Sequence, residues 1–116
     1  MTTIKEFQKD RENLNDLVLD FGGMSIKRFY NLDNQVYQEG ALTGATKELI
    51  GLVASLVLRC DDCVAYHILQ CRDAGITDGQ LEEALSIGLV VGGSITIPHL
   101  RRAVEKWNEL KGEEGT

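Results

Sequence analysis

The sequence predicts an all-α fold, a bundle of about six helices. Three observations predict it. Apolar residues recur at three- and four-residue spacing along the 116-residue chain, capping-type pairs head two of the periodic runs, and glycines punctuate the breaks between them. In the first helix, Thr3 and Glu6 have the spacing of a capping box, in which each side chain satisfies the other's free backbone N–H. Ile4, Phe7, Leu14, Leu17, Val18 and Phe21 follow at helical spacing, and Gly22-Gly23 stops the run. A second helix covers roughly 25–38, with Ile26, Phe29, Tyr30, Val36 and Tyr37 ahead of Gly40. The third starts near Thr43, a good N-cap residue, and runs through TKELIGLVASLVL. The fourth covers about 60–73 and ends at AGIT. Thr77 and Gln80 repeat the capping-box spacing and open a fifth helix through LEEALSIGLVV. The last begins around 94–98, because Pro98 suits a first turn, and runs to Leu110; the tail KGEEGT, residues 111–116, is expected to fray.

Length makes the chain, residues 1–116, a single domain, and 43% hydrophobic residues are ample for a core. A net charge of −6 argues against nucleic acid as a partner, since phosphates need a basic surface, and argues equally against anionic membranes. The start MTTIKEFQKD is polar and charged, unlike a secretory signal, and three cysteines are an odd count for a secreted disulfide scaffold. A cytoplasmic protein is therefore expected. LIGLVASLVL is apolar on nearly every side, and 84–100 carries no formal charge but is too short and interrupted to span a membrane. A helix apolar all round must be covered all round, so a homo-oligomer is expected, and Gly88 and Gly92 mark a face along which another helix approaches closely.

The chemistry concentrates in RCDDCVAYHILQC, which holds every cysteine and one of the two histidines. At about 100° per residue, Cys60, Cys63, His67 and Cys71 fall within a sector of roughly 80° on one helix face. Buried packing is one reading of such a stripe, and it suits Cys71. Zinc is a second, but Cys71 lies about 12 Å beyond Cys63 along the axis, leaving only His99 or a carboxylate such as Glu48 to complete the set. Redox chemistry fits best on local grounds. Two cysteines separated by two residues at a helix start close a disulfide without distorting the chain, and a thiolate there meets free N–H groups. His67, one turn beyond Cys63, can take a thiol proton, whereas Asp61 and Asp62 repel a thiolate. His99 reads as a structural or interface histidine, and Tyr66 and Trp107 as packing or interface residues.

CDDCVAYH, preceded at twelve residues by Glu48 in TKELIGLVASLVLRC, resembles the carboxymuconolactone decarboxylase family, specifically its alkylhydroperoxidase D-like branch. The resemblance covers about 40–110, leaving 1–39 as N-terminal helices. It implies an all-α fold assembled as a trimer or hexamer and a cofactor-free, metal-free thiol peroxidase acting on hydroperoxides. By the same resemblance Cys63 is the peroxidatic nucleophile, Cys60 resolves its sulfenic acid, and Glu48 with His67 forms the proton relay. A thiol or lipoyl-type partner is implied as reductant. Asp62 stands where alkylhydroperoxidase D has a histidine, and true carboxymuconolactone decarboxylases lack the CxxC. Two alternatives stand beside this reading: a lyase or isomerase on a small carboxylic acid or lactone, and a non-catalytic, zinc-binding oligomeric module.

Overall fold

A computed structural model of the chain describes residues 2–114, among which every regular element is helical. In chain order these are α1 (Ile4–Phe21), α2 (Met24–Val36), α3 (Gly44–Leu58), α4 (Asp61–Asp73), α5 (Asp78–Gly92), a single 3-10 turn (Ser94–Thr96) and α6 (Ile97–Glu114). The expected all-α bundle of six helices is what forms.

The caps explain the boundaries. Thr77 and Gln80 make a complete capping box at the head of α5, with Gln80 N donating to Thr77 Oγ1 and Thr77 N donating to Gln80 Oε1. At α1 half of the expected box is seen: Thr3 Oγ1 accepts from Glu6 N. Thr43 caps α3 in the same way, accepting from Thr46 N. The second helix is shorter than its periodicity suggests, because Tyr37 leaves helical geometry and becomes the C-cap of α2. The expected fraying of the tail is corrected: α6 continues through Lys111 to Glu114, and Lys111 Nζ donates to Asp78 Oδ2 at 2.7 Å, tying that turn to the head of α5. Gly115 and Thr116, the remainder of that tail, lie outside the described residues.

The main core sits between α3, α4, α5 and α6. Leu52, Leu56, Val64, Ile68, Cys71, Leu81, Leu85, Ala103 and Trp107 meet there. Each fully buried Leu or Ile contributes about 1.5–3 kcal/mol, so this cluster alone accounts for much of the driving force. The close helix approach expected at Gly88 occurs within the chain. A Cβ on Gly88 would sit 2.8 Å from Leu56 Cδ2, so glycine lets α5 lie against α3. Trp107 is buried and donates from Nε1 to Asp78 Oδ1 at 2.7 Å, with Arg72 over its ring.

A smaller cluster of Ile4, Ala65 and Leu69 docks the start of α1 on α4. Ile4 N donates to Glu109 Oε2, and Lys106 Nζ donates to the carbonyl of Thr2, fastening the same end to α6. Beyond that anchor the N-terminal hairpin is lightly held. Leu14, Leu17, Phe21, Met24, Phe29 and Leu32 are exposed, as are Ile50, Leu58, Ile87 and Val91 along α3 and α5. Between α3 and α5 lies an apolar cleft of about 840 Å³ floored by Leu49, Val53, Val57 and Ala84. No helix among the described residues is long and apolar enough to cross a membrane.

Candidate active site

The site begins at the turn between α3 and α4. Arg59 takes the left-handed conformation, φ 60° and ψ 38°, which lets α3 reverse into α4 with only Arg59 and Cys60 between them. Its N–H and that of Cys60 bond back to the carbonyls of Leu56 and Ser55, closing the end of α3 in a Schellman-like arrangement. Cys60 then becomes the N-cap of α4, its Sγ accepting from Cys63 N at 3.3 Å. Cys60 and Cys63 are joined by a disulfide, with Cα atoms 5.3 Å apart. Asp61 and Asp62 occupy the first turn, where negative charge suits the helix dipole.

The two aspartates separate. Asp61 turns to α6, with Oδ1 2.7 Å from His99 Nδ1 and Oδ2 accepting from Arg102 Nη1 at 2.8 Å. Asp62 lines a cleft of about 640 Å³ together with Cys63, Tyr66 and His67 from α4, and Phe7, Arg11 and Leu14 from α1. Arg11 lies over the Tyr66 ring at 4.0 Å, joining the two helices across the cleft. Burial, first, and then the charge of Glu48 push the Tyr66 phenol above its ordinary value, so it is a neutral part of the wall.

Behind that wall His67 and Glu48 meet. Nδ1 of His67 is 2.9 Å from Glu48 Oε1, with side-chain exposures of 9% and 11%. From helical spacing alone Glu48 falls level with Cys71, a turn too far; the close packing of α3 on α4 brings it back to His67 instead. On the other side of the ring, His67 Nε2 lies 3.4 Å from the Tyr37 hydroxyl. Gly51 makes room for this meeting. A Cβ there would lie 2.6 Å from His67 Cε1, 2.8 Å from Nε2 and 2.9 Å from Tyr37 Oη.

Thus Cys60 and Cys63 are bonded, Cys63 and His67 share the cleft, and Glu48 supports His67 from behind. Cys71 is separate: it is wholly buried in the main core, and burial, aided by Glu48, pushes its thiol to about 12. His99 stands on α6 paired with Asp61, and Trp107 is a core residue. Among the described residues no cluster of three or more His, Cys, Asp and Glu side chains is arranged to hold a metal ion. Tyr37, Gly51 and Arg11 were not indicated by the motif. A glycine one turn after Glu48 in an otherwise greasy helix is a usable signal for Gly51; Tyr37 and Arg11 carry none, because only tertiary packing brings α1 and α2 to α4.

The model of the carboxymuconolactone decarboxylase family matches residues 26–106, starting in α2 rather than near residue 40. A Thermotoga maritima protein of known crystal structure is similar, at 54% identity over 94% of this chain and 92% of that one, with a TM-score of 0.90. It is described as a carboxymuconolactone decarboxylase family protein with a suggested involvement in antioxidative response. An apo family protein from Legionella pneumophila shares the fold, with a TM-score of 0.85 at 23% identity, over 91% of this chain and 95% of that one. An uncharacterized Cupriavidus necator protein is 30% identical over 74% of this chain and 76% of its own length.

Proposed function

The chain belongs to the carboxymuconolactone decarboxylase family, and from that premise we propose that it is a thiol-dependent oxidoreductase that reduces hydroperoxides through Cys63 and Cys60. One observation carries the reading: the Cys60–Cys63 disulfide heads α4 on a cleft that Cys63 shares with His67, and His67 is backed by buried Glu48. The suggested antioxidative role of the Thermotoga relative supports it.

In the reduced protein, His67 Nε2 takes the Cys63 thiol proton while the Glu48 carboxylate accepts from Nδ1–H. The thiolate attacks the terminal peroxide oxygen. The O–O bond breaks, sulfur becomes a sulfenic acid, and the departing alkoxide recovers a proton from His67 to leave as an alcohol. The Cys60 thiol then displaces water from the sulfenic sulfur, forming the disulfide. A dithiol, small or lipoyl-type, reopens it by exchange and is itself oxidised. No resident metal or cofactor enters the cycle, and its dependence on a reductant suits the cytoplasm.

The test is consumption of an organic hydroperoxide by purified protein supplied with a dithiol. Wild type should turn over and Cys63→Ser should not; equal inactivity of both across several peroxides and dithiols removes the proposal. Mass spectrometry of the peptide spanning Arg59 to Arg72 should show loss of two hydrogens when the reduced protein meets peroxide.

His67 lines the cleft with Glu48 buried behind it, an acid–base pair independent of sulfur, which favours a second reading as a lyase or isomerase on a small carboxylic acid or lactone. Turnover of such a substrate that survives alkylation of both thiols selects it. We also propose a homo-oligomer, trimer or hexamer, because exposed apolar residues line both α1–α2 and the α3–α5 cleft. A monomer by light scattering at micromolar concentration overturns that.

A further inference from the structure

The reading of His67 as the proton acceptor leaves one neighbour unassigned, and the inference below rests on that reading. Tyr37 reaches the ring from a helix that contributes nothing to the motif. It is the C-cap of α2, and it is held there from outside: Lys47 Nζ donates to the carbonyls of Val36 and Gln38 at 2.8 and 2.6 Å, bracketing Tyr37 on both sides. Lys47 directly precedes Glu48, so one turn of α3 positions both partners of the histidine. Gly51, one turn later, leaves the space in which the phenol and the imidazole meet.

We propose that Tyr37 is a positioning residue whose hydroxyl donates to His67 Nε2, keeping that nitrogen unprotonated and the ring fixed between two partners. Glu48 accepts from Nδ1–H, so each ring nitrogen has one defined partner. The phenol suits this task because it is uncharged. Burial, with Glu48 next, pushes its ionisation above the ordinary value, so it remains a donor throughout the neutral range. At 3.4 Å the bond is long enough to yield when the Cys63 thiol presents its proton. Once Nε2 is protonated, the same oxygen turns acceptor and receives the new N–H. Tyr37 thus holds the ring in both states of the transfer without adding charge.

The experiment is long-range ¹H–¹⁵N spectroscopy of the histidines in the full chain with its disulfide closed, a measurement independent of peroxide turnover. In wild type, His67 should show a pyrrole-type Nδ1 and a pyridine-type Nε2 displaced toward the hydrogen-bonded position. In Y37F, Nε2 should move toward the unbonded pyridine position while both His99 nitrogens stay in place, and dithiol-dependent peroxide turnover should fall roughly fivefold in kcat. A protonated Nε2 in wild type overturns the proposal without any variant. So does an Nε2 resonance unchanged in folded Y37F. Failure of turnover in wild type with the tautomer as described rejects the peroxidase reading and leaves the Tyr37–His67 bond standing.

Discussion

The two ends of α4 carry cysteines on the same face of the same helix, yet they occupy different chemical worlds. At the N-terminal end Cys63 is exposed on a cleft and already joined to Cys60. Two turns on, Cys71 is sealed in the core beside Leu52, Leu56 and Ile68, with its thiol pushed to about 12. Residue type and helical phase are shared. What differs is the neighbour: the first end looks onto a cleft walled by α1, while the second is covered by the other core helices. Reactivity in this stripe is therefore assigned by what packs over it.

Exchanging the ends should break the comparison most visibly. Cys63→Ser is expected to abolish peroxide turnover, a loss of at least about a thousandfold for removal of a nucleophile, with little change in urea stability relative to the reduced wild type. Cys71→Ser should do the reverse, keeping turnover but costing about 1–3 kcal/mol because a hydroxyl enters an apolar core. Alkylation sharpens the same contrast. A thiol at about 12 exposes roughly a thousandfold less thiolate at neutral pH than one at 9.0, so native Cys71 should resist iodoacetamide while the reduced pair reacts.

The pH dependence of stability separates the ends further. Cys71 keeps its proton in the folded state up to about 12, whereas the unfolded chain releases it near 9.0. Stability from this group is thus complete below 9.0 and is lost as pH rises toward 12. Alkaline unfolding of Cys71→Ala should be shallower than that of wild type across this window. Between the two ends lies His67, and Gly51→Ala should disturb it. The added methyl meets the ring and the Tyr37 hydroxyl, which predicts about 1–3 kcal/mol of destabilisation and a fall in turnover. The smallest effect is expected at the turn. Arg59→Gly relieves a left-handed residue and should stabilise by about 0.5–1 kcal/mol, read as a shift in the urea midpoint.

Much of this was legible in the sequence, and the part that was not has a common cause. Periodicity and caps place the helices because these are local properties: the Thr77–Gln80 box forms as written, and Thr43 caps α3. The Glu48, Cys60, Cys63 and His67 pattern anticipates one candidate site because those residues sit on two consecutive helices packed together. The misreadings are long-range. Lys111 orders the last turn through Asp78, 33 residues away, which no local pattern announces. Asp61, unexplained as a neighbour of two thiols, finds its partners His99 and Arg102 on α6. Tyr37 meets His67 because Lys47 holds the end of α2 beside α3, with the phenol against α4.

The four-residue span from Cys60 to Cys63 has a thermodynamic consequence. A cross-link stabilises a protein chiefly by restricting its unfolded chain, and that restriction grows with the length of the loop closed. Cys60 and Cys63 are separated by three positions within the cap and first turn of one helix, so closing them restricts the unfolded chain by only about 2 kcal/mol, against about 4.7 kcal/mol for a 100-residue loop. Oxidised protein should accordingly melt above reduced protein, but by less than half the shift a 100-residue loop would give. On the proposed cycle, each opening of the disulfide then costs the fold only this modest amount, so redox turnover would be weakly coupled to stability.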